Sequence, residues 1–184
     1  MARVKYLTKD DLAEDDRPLL ERSGINLFRA LANNPSAARA FARLGNHIRN
    51  VSELDGRIRE LAILTVGWLA RSPYEWSHHI RIGYDFGVSD TDIEGLIAEA
   101  EGCESELDPL AKLACRAARE MTLDGAVADA TFRALEDHLG HDLIIELVLA
   151  VATYNAVVRI LGSLQIDVED AYMPYLERFP LPEK

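Results

Sequence analysis

Three ionisable residues stand where proton chemistry could be done: Glu60, Glu75 and His79. Glu60 interrupts the apolar run IRELAILTVGWLA, residues 58–70, and its own helical face continues through Ile63, Leu64 and Gly67. A carboxylate on such a face is partly desolvated, which raises its pKa toward the range useful for proton transfer unless a cation holds it ionised. Arg57, one turn earlier, is the candidate cation, and a structural Glu–Arg pair is the plain alternative. Glu75 and His79 are four residues apart and share a helix face, where a carboxylate orients an imidazole and favours its charged form. His78 lies about 100° round the helix from His79, so the two do not point into one small site, and one of them is a packing or rim residue.

The neighbours of this set suit supporting roles. Tyr74 and Trp76 flank Glu75 and either wall a substrate pocket or pack as core. Ser72 lies in no nucleophile elbow of the GxSxG kind, which leaves it a binding residue at most. Glu-x-x-x-His is half a metal site, but HExxH is absent and Glu60 is the one obvious third ligand, so no metal is expected. The eleven glycines are scattered and form no phosphate loop, so no nucleotide cofactor is expected. Cys103 and Cys115, twelve positions apart, fit neither a CxxC redox pair nor a zinc knuckle and read as reduced thiols.

Helices must hold these groups. A short periodic segment covers 26–34, and Asn34-Pro35-Ser36 stops it and starts a helix running to about Asn50. Ser52 is a plausible N-cap for the helix of Glu60, which is apolar almost all round and therefore central. Ser72-Pro73 opens the helix of Glu75 and His79, and Gly87 closes it. Ser89 caps a short helix with acids in its first turn. Further helices are predicted from Pro109 to Asp124-Gly125, from Val127 to Gly140, and from about Asp142 to Leu161, the last mostly buried. Arg59-Glu60-Leu61 is faintly echoed by Ile145-Glu146-Leu147, too little for a repeat. No alternating segment between hairpin turns appears, so the fold class is all-α, one helical bundle over residues 1–184, with an aromatic, proline-bearing arm over about 167–184 that packs on the bundle or on a neighbouring subunit.

Composition bounds the function. A chain of 184 residues, 48% hydrophobic and 28% charged, buries a sizeable core without disulfide or metal. The net charge of −11 repels a phosphate backbone, which argues against nucleic acid. The longest purely apolar stretches fall short of the ~18 residues of a membrane span, and the N-terminal residues lack a signal-peptide pattern, so a cytoplasmic protein is expected.

The stretch RIRELAILTVGWLARSPYEWSHHIRIGYDFGVSDTDIEGL, core residues 55–97, resembles the carboxymuconolactone decarboxylase and alkylhydroperoxidase D superfamily, and YLERFPLP is similar to tails in its subgroup bearing Tyr-Glu-Trp. In the hydroperoxidase branch a glutamate precedes a CxxC pair and a histidine follows. Glu60 and His79 keep two of these positions, Ser72 and Glu75 replace the cysteines, and Tyr74 stands where some members carry a relay histidine. A peroxidatic reaction needs an attacking and a resolving thiol, and neither is present in the motif. The resemblance therefore implies an alkylhydroperoxidase D-like helical fold and decarboxylase, lyase or isomerase chemistry on a small carbonyl or lactone. It assigns catalysis to Glu60, His79, Glu75 and Tyr74, and substrate binding to Ser72, Trp76, His78 and Arg57. Peroxide reduction (peroxiredoxin activity) and a non-catalytic helical assembly are the alternatives. Self-association as a dimer, trimer or hexamer is also implied, and a carboxylated substrate would call on Arg57, Arg71 or Arg81.

Overall fold

The computed structural model describes residues 2–21 and 24–183; positions 1 and 184 of the expected single unit, the latter the last of its arm, lie outside the described residues. It is all-helical, with no strand among the described residues. Ten α-helices follow in order: α1 Pro18–Glu21, α2 Asn26–Leu31, α3 Pro35–Asn50, α4 Gly56–Leu69, α5 Pro73–Asp85, α6 Asp90–Ala100, α7 Pro109–Leu123, α8 Asp129–Glu136, α9 His141–Leu164 and α10 Met173–Arg178.

Helix α4 is the axis, because it has no polar face to give to solvent: Ile58 through Trp68 are all buried. Helices α5, α6, α7 and α9 pack around it. Its N-cap is Asp55, whose carboxylate accepts from the Ile58 N–H at 3.0 Å, and not Ser52. Ser52 instead donates to Glu146, which also accepts from the Leu54 N–H. Glu146 thus holds a turn at the bundle surface, and the echo with Glu60 carries no common role.

The α4–α5 turn fixes everything that follows. The Ser72 N–H reaches the Gly67 carbonyl at 3.0 Å and the Arg71 N–H reaches the Trp68 carbonyl at 3.0 Å, the paired closing bonds of a helix that ends in a left-handed residue. That residue is Arg71, at φ 48°, where glycine is usual. Ser72 then caps α5 and Pro73 occupies its first turn. Gly67 lets the two helices close up: a Cβ there would lie 3.3 Å from the Trp76 backbone nitrogen. Helix α5 ends at Gly87, φ 85°, as the sequence suggests.

Helix α9 is less enclosed than its sequence suggests. It is long and apolar enough to cross a bilayer by length and composition, yet only 39% of its most apolar stretch is buried, and Ile145 is 65% exposed. Its inner face, through Leu147, Ala150, Val151 and Tyr154, packs into the bundle. The helix before it, α8, is shorter than predicted, because Asp137 to Gly140 turn the chain into α9.

The C-terminal arm folds back on its own chain, along α5. The fully buried Trp76 donates its indole N–H to the Phe179 carbonyl at 2.8 Å, and Arg71 donates to the Glu183 carbonyl. Trp76→Phe is expected to leave that carbonyl unpaired and to cost about 1–3 kcal/mol. Urea denaturation would show the loss, and limited proteolysis would show faster cutting within residues 167–183.

Candidate functional site

Nineteen residues separate Glu60 from His79, and the tight α4–α5 turn converts that interval into contact. Glu60 is fully buried, and one of its oxygens, Oε2, lies 2.6 Å from His79 Nδ1. The other, Oε1, accepts from Arg59 Nε at 3.1 Å. On its far side the imidazole presents Nε2 to Glu75 Oε1, 2.9 Å away, one turn earlier on α5. That second contact is close but not aligned as a hydrogen bond, and Glu75 Oε1 has no other partner. Tyr154 of α9 closes the site, its ring edge-on to the His79 ring at 4.7 Å.

Four charged groups therefore lie inside the bundle: Arg59 and Glu75 are 3% exposed and His79 is 5% exposed. Their signs alternate and sum to zero. Burial pushes the His79 imidazole down, but the Glu75 and Glu60 carboxylates carry it up to about 9. Burial likewise pushes the Glu60 carboxyl up, and the charge and hydrogen bond of His79, together with those of Arg59, hold it below the ordinary range. At neutral pH the proton rests on the imidazole, and both ring nitrogens are donors. The Tyr154 phenol is pushed far up, first by burial and then by the charges of Glu75 and Glu60, so it stays a neutral hydroxyl.

The other sequence candidates are placed elsewhere. The cation beside Glu60 is Arg59, not Arg57, because Arg57 is held at the mouth of α4 by Asp92 and by Asp108 at 2.7 Å. Ser72 is spent as a helix cap. Trp76 is core. Tyr74 turns away from His79: its hydroxyl donates to Glu169 and accepts from the Leu27 N–H, each at 3.2 Å. Of the two histidines His78 is the packing residue and not a rim one: it is buried, stacked between Tyr74 at 3.9 Å and Tyr172 at 3.5 Å. Its Nδ1 lies 2.8 Å from the Tyr74 carbonyl and its Nε2 is 2.9 Å from Glu169 Oε2. The two histidines thus serve different faces of α5, one toward the axis and one toward the arm.

Sequence reasoning missed Arg59, Tyr154, Glu169 and Tyr172. Arg59 had a signal, since any charge inside an apolar run is buried with its helix. Tyr154 had none, because its approach to His79 depends on how α9 lies across α5. Cys115 is buried in α7, its thiol pushed up to about 12 by burial, while Cys103 is exposed in the connector after α6. No cluster of three or more His, Cys, Asp or Glu suited to a metal occurs among the described residues.

The imidazolium gives stability a specific pH dependence. Unfolded, His79 releases its proton near pH 6.5; folded, it holds it to about pH 9. Its contribution is complete below about 6.5 and is lost as pH rises to about 9. The urea midpoint is expected to fall across that window, and the fall attributable to this residue to vanish in His79→Gln. A parent chain with a flat midpoint there would contradict an imidazolium held by two carboxylates.

The carboxymuconolactone decarboxylase family profile matches residues 35–120, which include the whole Arg59–Glu60–Glu75–His79 set. No curated protein matches the chain. Among solved structures, the fold is similar to an alkylhydroperoxidase AhpD core, an uncharacterized peroxidase-related protein from Ralstonia eutropha JMP134 (TM-score 0.78, 18% identity, 95% of each chain). It is similar as well to the debrominase Bmp8 (TM-score 0.72, 19% identity, 95% of this chain and 96% of that one). A third likeness is to a putative antioxidant defence protein AhpD from Agrobacterium tumefaciens (TM-score 0.66, 20% identity, 76% of this chain and 94% of that one). The matched segment is similar to the carboxymuconolactone decarboxylase family, and the chain as a whole shares the helical fold of the alkylhydroperoxidase AhpD-like structures.

Proposed function

We propose that the chain is an acid–base enzyme acting on a small carbonyl or lactone substrate, by decarboxylation or a related lyase or isomerase step. The observation that carries this reading is the continuous line Glu60–His79–Glu75, with contacts of 2.6 and 2.9 Å, ending on a carboxylate oxygen that has no hydrogen bond. Both nitrogens of His79 face carboxylates, which leaves the imidazole no free edge for a substrate. Glu75 is therefore the group that meets the substrate. It takes or gives the proton at carbon, while His79 exchanges protons with it and Glu60 keeps the imidazole charged and oriented. In a decarboxylation the electron pair left by carbon dioxide forms an enolate, which is quenched at carbon by a proton delivered along this line. Tyr154, whose ring packs edge-on to His79 and whose hydroxyl stays neutral, supports the developing oxyanion. Tyr74 and His78 position α5 from the arm side.

A structural role is the second reading, and a specific observation favours it: all four charged groups are at least 95% buried and mutually neutralised, with Glu60 bonded to an arginine. Two clefts, of about 490 and 740 Å³, are lined by other residues. A substrate reaches Glu75 only when a wall such as Tyr154 moves. Peroxide reduction would demand thiols, and Cys115 is buried and protonated while Cys103 lies in a separate connector.

We further infer a cytoplasmic homo-oligomer that does not bind nucleic acid. The negative charge and the exposed apolar side chains Ile145, Val51 and Leu123 support this, and light scattering would test the association.

Ring-cleavage lactones and β-keto acids, followed by carbon dioxide release, are the test of the chemistry. Glu75→Gln and His79→Ala are each expected to lower turnover by about 10²–10⁴, with Arg57→Gln close to the parent. Full turnover in both relay variants would remove the proposal. A parent chain inactive on the whole panel, but destabilised by the same substitutions, would favour the structural role. Peroxide consumption abolished by Cys103→Ser or Cys115→Ser would favour the hydroperoxidase reading.

A further inference from the structure

Helix α3 is a cationic element in a chain of 20 basic and 31 acidic residues: it carries Arg39, Arg43 and Arg49 and no acid. With the N-terminal segment it borders a cleft of about 740 Å³. Its lining includes the apolar side chains of Leu19, Phe28 and Ala42. Beside them the lining carries Arg43, Asn46 and Arg49, on the same helix as Ala42.

The state of the arginines matters more than their number. Arg39 is engaged by Asp16, whereas Arg43 has neither hydrogen bond nor ion pair among the described residues. Arg49 makes one bond within its own helix, to the Gly45 carbonyl at 3.4 Å, and no ion pair. Asp15 is an acid on the cleft lining. Two guanidinium groups thus stand without a carboxylate in a protein that has carboxylates in excess. Guanidinium groups bind carboxylates through paired, charge-assisted hydrogen bonds, and volumes of about 300–1,000 Å³ suit small molecules. The apolar residues that share the cleft with them select for a ligand with a hydrocarbon body.

We propose that this cleft binds a small amphiphilic organic anion, its carboxylate held by Arg43 and Arg49 and its apolar body lying against Leu19, Phe28 and Ala42. The site does not depend on the acid–base reading, since it shares no residue with the Glu60–His79–Glu75 line. It is nonetheless close to that line's wall: α3 packs on α9, and the charge of Arg49 acts on the Tyr154 phenol against the upward push of burial. The overall field of the chain repels anions, so binding rests on these local contacts and weakens as salt screens them.

Octanoate is the probe, titrated calorimetrically into the full chain at low salt, with octanol as its neutral counterpart and acetate as its headgroup alone. Octanoate is expected to bind at least about tenfold more tightly than either, and Arg43→Gln to lower its affinity by about tenfold or more. Arg43 is exposed, so this variant should keep the parent circular dichroism and melting temperature. Leu19→Ser is expected to weaken octanoate and leave acetate unchanged. Equal binding of octanoate and octanol, an unaltered affinity in Arg43→Gln, or no binding at all would overturn the proposal. So would an octanoate affinity that falls with rising protein concentration as light scattering reports a larger species, which would assign the cleft to a second copy of the chain.

Discussion

Charge cannot be buried alone, and the interior of this bundle is organised around that constraint. Arg59, Glu60, Glu75 and His79 are held in a region where an isolated ion would cost many kcal/mol, and they persist there because each neighbours a group of opposite sign. Removing one member of such a set leaves an uncompensated charge, at a cost of about 3–5 kcal/mol. The set is therefore a fixed point to which α4, α5 and α9 must conform. It also explains why His79 is an imidazolium at neutral pH despite its burial: the two carboxylates outweigh desolvation.

The helices meet this demand through local devices. The left-handed Arg71, the Ser72 cap and Pro73 reverse the chain within a few residues, and Gly67 removes the side chain that would hold α5 away from α4. With the turn fixed, His79 comes opposite Glu60. The other face of α5 belongs to the arm, where His78 lies between two tyrosine rings above Glu169, and Glu169 in turn accepts from the Asn26 N–H at 2.6 Å. The arm, the start of α2 and α5 are thereby joined at one carboxylate. The two adjacent histidines divide their work between the inside and the outside of one helix.

The family match over residues 35–120 and the likeness of fold leave the reaction open, because folds of one type host many chemistries. What this chain's residues contribute is a buried set of ionisable groups. Ser72 and Glu75 stand where the resemblance would place thiols; Ser72 caps a helix, and Glu75 sets its Oε1 2.9 Å from His79 Nε2. The same burial that strengthens the electrostatics also closes the set to solvent. A catalytic use of it thus requires movement of its walls, and a structural use requires none.

The helical class, the central place of α4, the breaks at Asn34-Pro35 and Ser72-Pro73 and the stop at Gly87 were legible in the sequence, because periodicity, capping residues and glycine act over a few neighbouring positions. Glu60, Glu75 and His79 were legible for the same reason: a charge in an apolar run and a pair four residues apart are local patterns. Residue spacing did not reveal that Arg59 and not Arg57 meets Glu60, that Asp55 and not Ser52 caps α4, or that α9 leaves Ile145 in the open. Nor did it place Tyr154 on His79 or Tyr172 on His78. Those facts depend on how whole helices rotate and cross, which is set by packing among residues tens of positions apart. Only the tertiary structure, where every buried polar group must find its partner at once, decides them.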